Sequence, residues 1–219
     1  MKLFIGNKNY SSWSLRPWLA LKAAGVSFEE TIIPLRQQDT KNILLTLSPN
    51  GKVPMLQDGN LRIWESISIC EYVAEKFPSA GLLPKDPQQR AKARSLMAEM
   101  HAGFASLRKC MPMDIRTTYP PQDLPQDVQT DIARILSIWS DCRANTHNQG
   151  DFLLGPFGIV DAMYAPVVMR FRSYNVPVNN TLAQDYCSAI LYHPAMQDWI
   201  RAAEAEPWEI PSEILHTPH

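Results

Sequence analysis

No cysteine occurs before Cys70, and none of the four (Cys70, Cys110, Cys142 and Cys187) belongs to a C-x-x-C pair or stands near a histidine at zinc-ligand spacing. The amino-terminal loop therefore lacks the nucleophile that thiol–disulfide exchange requires, and the pattern offers no metal site. Scattered thiols of this kind read as small buried hydrophobes in a reducing compartment, which places the protein in the cytoplasm. No apolar run approaches the roughly 20 residues that cross a bilayer. The apolar start Leu3-Phe4-Ile5 is cut short by Gly6-Asn7-Lys8-Asn9, so it reads as a first strand and not as a signal peptide. Charge of one sign is also lacking: 21 Lys+Arg against 22 Asp+Glu leave a net charge of −1. No global field then draws the chain onto nucleic acid or an anionic membrane. Internal repeats and low-complexity tracts are missing, and His101, His147, His193, His216 and His219 have no motif around them.

What is present is an ordinary globular composition, 45% hydrophobic and 20% charged, over 219 residues, enough for two modest domains. The first part alternates strand and helix patterns. Lys2–Ile5 reads as a strand and Ser14–Ala24 as a helix, with Leu15, Trp18, Leu21 and Ala24 three apart and Gly25 where it stops. Phe28–Ile33 reads as a strand, Thr40–Leu47 as a helix, and Val53–Gln57 with Leu61–Trp64 as a hairpin around Asp58-Gly59. A helix over Glu65–Phe77 closes a compact α/β unit with a mixed sheet, in the thioredoxin-like order. The proline-marked segment Pro78–Pro87 is a stiff connector.

Beyond it every strong pattern is helical. Met97, Met100, Phe104, Leu107 and Met111 recur at spacings of three and four, and so do Val128, Ile132, Ile135 and Trp139. A loop over Thr117–Pro125 separates them. Val160, Tyr164, Val167, Val168 and Phe171 mark a further helix, which Pro166 within it is expected to kink or to tighten in its first turns; Met196, Trp199, Ile200 and Ala203 mark a last one. The fold class is an α/β thioredoxin-like N-terminal domain over 1–78 followed by an all-α domain over 88–219.

Three segments carry candidate chemistry. In Asn9-Tyr10-Ser11-Ser12-Trp13-Ser14-Leu15-Arg16-Pro17, hydroxyls stand where a helix leaves its N–H groups unpaired and its dipole positive, which favours an anion. Capping by Ser12 or Ser14, with Pro17 in the first turn, accounts for the same pattern. In Asn50-Gly51-Lys52-Val53-Pro54-Met55, a cis Val53-Pro54 bond would turn the Val53 backbone outward for an extended peptide; a trans proline opening a strand is the alternative. In Trp64-Glu65-Ser66, the serine and the free N–H groups of a helix start can hold a carboxylate while Glu65 accepts from an ammonium group; a plain capping pair reads the same.

Taken in this order, S-S-W-S-L-R, N-G-K-V-P-M-L and W-E-S-I-S-I-C-E-Y-V resemble the cytosolic glutathione transferase family over nearly the full length. The serine-rich entry is most similar to the serine-using, zeta-like bacterial group, with Trp13 where that group usually has cysteine. Gly155-Pro-Phe-Gly-Ile-Val-Asp161 is similar to the family's capping segment, in which an Asp at N3 ties a loop to the helix start.

The resemblance implies a transferase that activates glutathione, its co-substrate, as a thiolate for attack on a small electrophile, without a metal. It implies Ser11 as the thiol's hydrogen-bond donor with Ser12 next, Val53 and Pro54 on the cysteinyl backbone, Glu65 and Ser66 on the γ-glutamyl end, and Lys52 on the glycyl carboxylate. Ser14 is then a cap, and Tyr10 a second-choice donor. The electrophile lies against the helical domain, where Met100, Phe104, Met111 and Met113 line a wall or simply form core. Arg170 and Arg172 meet an anionic substrate or lie in solvent. Glutathione-dependent isomerisation of maleylacetoacetate, dehalogenation and a non-catalytic binding role are the alternatives, and a homodimer is implied.

Overall fold

A computed structural model describes residues 1–146, 148–211 and Leu215; His147, His216 and His219 lie outside them. The chain opens with β1 (Lys2–Gly6), α1 (Ser12–Ala23), β2 (Glu29–Ile33), α2 (Thr40–Leu47), β3 (Met55–Asp58), β4 (Leu61–Trp64) and α3 (Ser66–Lys76). The sheet order is β2-β1-β3-β4, with β1 and β2 parallel and the other neighbours antiparallel. This is the thioredoxin-like mixed sheet. Alternation along β1 decides which helix covers which face. Leu3 and Ile5 point into the main core with Leu15, Leu19 and Ile69, whereas Phe4 points to the opposite face with Ile33, Leu44 and Met55 under α2.

A 3-10 turn at Pro78–Ala80 leads to α4 (Pro87–Ala102), α5 (Ala105–Cys110), α6 (Gln126–Thr146), α7 (Ile159–Ser173), α8 (Thr181–Tyr192) and α9 (Pro194–Glu204). The main core runs without a break from Leu3 and Leu19 to Met163, Trp199 and Ala203, so sheet and helices share it. Both faces of α1 contribute, because Ser12 and Ser14 through Leu21 are all buried. None of the helices among the described residues is long and apolar enough to cross a membrane.

The structure departs from the sequence reading in several places. α1 starts at Ser12 because Ser11, not Ser12 or Ser14, is its N-cap, accepting from Ser14 N–H at 3.4 Å; Pro17 thus stands inside the helix. The apolar spacing from Met97 to Met111 spans two helices, since Gly103 and left-handed Phe104 (φ 58°) interrupt it. A Cβ at Gly103 would come within 2.7 Å of the Glu99 carbonyl oxygen, so this close approach admits only glycine. Helix α8 is an element absent from the sequence reading, although its buried Ala183, Tyr186 and Ile190 stand three and four apart; Pro166 lies inside α7.

Candidate functional site

Strand polarity assembles the site. β1 and β4 both run antiparallel to β3, so the ends of β1 and β4 and the start of β3 lie at one end of the sheet. From that end α1 leaves after β1, α3 leaves after β4, and Val53-Pro54 enters β3. Each of these segments therefore presents its candidate residues on the same side of the molecule.

At the start of α1, Ser11 and Ser12 are both buried but face different partners. The Ser11 hydroxyl donates to Ser14 Oγ at 2.7 Å, and Ser14 Oγ accepts from Gly6 N–H at 3.1 Å. Either hydroxyl of the Ser11–Ser14 pair can supply the shared proton; when Ser14 does, the Ser11 proton is available to an outside acceptor. The packing against Gly6 is close, for a Cβ there would lie 3.1 Å from Ser11 Cβ. Ser12 Oγ accepts from Arg170 Nη2 at 3.1 Å.

At the start of β3 the Val53-Pro54 bond is cis, the first of the two alternatives open from the sequence. β1 and β3 pair Phe4 with Met55, and continuing that register sets Val53 abreast of Gly6, next to Ser11. Lys52 is exposed, its backbone N–H donating to Asn50 Oδ1 at 3.0 Å.

At the start of α3, Ser66 is buried and its Oγ has no hydrogen-bond partner among the described residues. Glu65 precedes it at φ 70°, a conformation disfavoured for a residue with a side chain, and turns its carboxylate back across the site. Its Oε1 accepts from Asn50 Nδ2 at 3.1 Å, and Oε2 lies 3.7 Å from His101 Nε2 on α4. Asn50 thus joins the β3 approach to the α3 start.

A run of positive charge backs this arrangement. Trp13 carries the Arg16 guanidinium over its ring at 4.2 Å and that of Arg108 at 5.4 Å, with the His101 ring edge-on at 5.3 Å. Arg16 is buried, and its Nε and Nη1 have no hydrogen-bond partner among the described residues. Burial, with Arg170 and Arg108 nearby, brings Arg16 down to about 9, and burial followed by Arg108 brings Arg170 down to about 10. Burial first, then Arg16, lowers His101, which favours its neutral form. Arg170 is not a solvated surface residue: it is 3% exposed and donates to the Met111 and Pro166 carbonyls as well as to Ser12. Arg172 is exposed.

Residues 10–76 match the glutathione S-transferase N-terminal domain family. The chain superposes on the holo structure of maleyl pyruvate isomerase, described as a bacterial glutathione S-transferase in the zeta class, with a TM-score of 0.73 over 94% of this chain and 99% of that one at 24% identity. By its residues 10–76 the chain carries a glutathione S-transferase N-terminal domain. A glutathione transferase homolog from Burkholderia, solved with bound glutathione, shares the fold of this chain with a TM-score of 0.70 and 22% identity over 94% of this chain and 98% of that one. A probable maleylacetoacetate isomerase of Caenorhabditis elegans is 39% identical over 97 residues. That stretch is 44% of this chain and 44% of the relative, so the match spans less than half the relative's length.

Several residues of this site were not assigned from sequence. Trp13 and Arg16 stand three apart on α1, a spacing that does bring helical side chains together, so their contact was readable. Asn50 and His101 gave no local signal, because their link to Glu65 crosses the fold. Tyr10 is committed elsewhere: its hydroxyl accepts from Arg116 Nη2 at 3.2 Å and from Ile210 N–H at 3.0 Å. Met100, Phe104, Met111 and Met113 are at most 7% exposed and belong to the core.

Proposed function

We propose that this protein is a glutathione transferase that holds glutathione at the common end of β1, β3 and β4 and uses it as a thiolate against a small electrophile. The observation that carries the reading is the convergence there of Ser11, the Val53-Pro54 segment, and Glu65 with Ser66. An incoming cysteinyl backbone pairs with Val53. The γ-glutamyl carboxylate fills the demand of the Ser66 hydroxyl and the first N–H groups of α3, while Glu65 takes the ammonium group. Lys52 attracts the glycyl carboxylate. Residues 1–78 then form the glutathione-binding domain and 88–219 the electrophile side.

The chemistry needs a thiol made acidic. A free thiol titrates near 8.5, and lowering it by about two units takes close to 3 kcal/mol of preferential thiolate stabilisation. A charge-assisted hydrogen bond supplies about 1.5–3 kcal/mol and a helix N-terminus about 0.3–1 kcal/mol. Ser11 is the donor in this reading, since it sits beside Gly6 and the Val53 register position, whereas Ser12 is turned to Arg170. The thiol proton leaves to solvent, the sulfur electron pair forms the new bond to the electrophilic carbon, and the leaving group departs with the electrons of the bond that breaks.

A second reading, glutathione-dependent isomerisation, is favoured by the likeness to the maleylacetoacetate isomerase. Here the thiolate adds to a double bond and is expelled after rotation, so glutathione is not consumed. The protein is further proposed to act in the cytoplasm, as a homodimer, in detoxification. Calorimetry with glutathione tests binding, and absence of uptake by the folded protein sinks both readings. Conjugation of a generic aromatic electrophile against turnover of maleylacetoacetate then separates transferase from isomerase.

A further inference from the structure

The loop that carries Ser11 cannot satisfy its own backbone. β1 ends at Gly6, and the Asn7 carbonyl takes up the N–H groups of both Tyr10 (3.1 Å) and Ser11 (2.8 Å), closing the loop into one piece. That leaves Lys8 and Asn9, 5% and 0% exposed, with N–H groups that need an acceptor from outside. The acceptor is Glu206, just past α9. Its Oε1 accepts from Lys8 N–H at 2.6 Å and its Oε2 from Asn9 N–H at 3.1 Å, across 198 and 197 positions of sequence. A carboxylate set on two consecutive N–H groups fixes both position and orientation, which a single bond does not.

The same segment is bracketed by Arg116. Its guanidinium donates to the Glu206 carbonyl at 3.0 Å, the Trp208 carbonyl at 2.8 Å and the Tyr10 hydroxyl at 3.2 Å, while its backbone N–H donates to Asn9 Oδ1 at 2.9 Å. Trp199 Nε1 of α9 holds the Lys8 carbonyl at 2.9 Å. Only Tyr10 and Ser11 separate Asn9 from the start of α1 at Ser12, so any slack at Lys8 and Asn9 is passed directly to the serine hydroxyls.

We propose that Glu206 is a positioning residue for thiol activation: its carboxylate clamp on Lys8 and Asn9 sets where the Ser11 hydroxyl stands relative to the glutathione sulfur. The proposal rests on the glutathione transferase reading given above. Glu206 touches no substrate atom and leaves the grip of Glu65 and Ser66 on the γ-glutamyl end untouched, so its loss acts on turnover more than on binding.

The test begins with calorimetric titration of the wild-type protein with glutathione. No uptake overturns the transferase reading and this proposal with it; uptake carries the experiment forward. Glu206→Gln, Glu206→Asp and, as a control on the exposed surface of α9, Glu204→Gln are then assayed with a generic aromatic electrophile across pH, together with the ultraviolet absorbance of bound thiolate. For Glu206→Gln we expect kcat to fall roughly tenfold or more, a loss typical of a displaced reacting group. The KM for glutathione should change less than kcat, and the pH profile of kcat/KM should move up by about one pH unit, equivalent to about a tenfold smaller thiolate fraction. Glu206→Asp, which keeps the charge on a shorter arm, is expected to recover part of the loss, and Glu204→Gln to behave as wild type. A lowered melting temperature with an unchanged pH profile and an unchanged ratio of kcat to KM shows a structural role alone and overturns the proposal.

Discussion

Ser12 Oγ accepts a hydrogen bond from the Arg170 guanidinium at 3.1 Å, although the two residues stand 158 positions apart. The bond joins the first turn of α1 to the last turn of α7, and Arg170 directs its Nε and Nη1 to the Met111 and Pro166 carbonyls. A lysine cannot reproduce this fork. Arg170→Lys is expected to cost about 1–3 kcal/mol in urea denaturation. Ser12→Ala should cost less in that background than in the wild type, because neighbours sharing a bond do not add. Strictly additive losses would show that the pair is not coupled.

Ser11 should separate from Ser12 in activity. If it donates to the sulfur, Ser11→Ala lowers kcat by roughly ten- to a hundredfold, the rate equivalent of a lost charge-assisted hydrogen bond. As the N-cap of α1 it should also lose about 0.5–2 kcal/mol of stability. Steady-state kinetics on both alanine variants check this, and equal activity of Ser11→Ala and wild type removes Ser11 from the role.

Glu65 holds a positive φ of 70° that glycine adopts freely. Glu65→Gly is therefore expected to raise unfolding free energy by up to about 1 kcal/mol, offset in part by the lost bond from Asn50. Glutathione affinity should fall in the same variant. Denaturation and calorimetry read the two effects separately; a variant that is both less stable and equally avid contradicts the assignment.

Asp161 gives the stability curve a definite sign. It is buried at the start of α7, where Oδ1 accepts from Leu153 N–H at 3.0 Å and Oδ2 from Gly158 N–H at 2.8 Å, the capping arrangement expected from Gly155–Asp161. Burial pushes its carboxyl up to about 7 against those donors. An unfolded aspartate titrates near 4, so between about pH 4 and 7 the native state binds more protons than the unfolded one. The contribution of this group is complete at the acid end of that window and is lost as pH rises through 7. Asp161→Asn should flatten this segment of the curve in urea denaturation across the window, and curves parallel to wild type would exclude the effect.

Much of the sheet-bearing half was legible because its signals are local. The bounds of α2 and β4 follow directly from apolar pattern and turn residues. The start of α1 was less so, because three hydroxyls in a row all have capping chemistry and only distant partners, Gly6 for Ser14 and Arg170 for Ser12, assign them. Arg170 illustrates the same limit: its sequence neighbours permit solvent or interior alike, and burial is decided by packing against α1 and the Met111 carbonyl. Glu206 had no sequence signal at all, since its partners are backbone groups near the opposite end of the chain.

Because α1 is enclosed on both faces, by the sheet and α3 on one side and α7 and α9 on the other, neither half of the molecule owns it. A fragment ending at the connector would expose Trp18, which packs on Trp199 at 5.1 Å, and would leave the Glu206 clamp behind. Such a fragment should precipitate instead of folding, and the intact chain should melt in a single cooperative step. Evolution of the helical part of this protein is thereby tied to the integrity of its sheet-bearing half, since no substitution on α7 or α9 that loosens their contact with α1 leaves the other half whole.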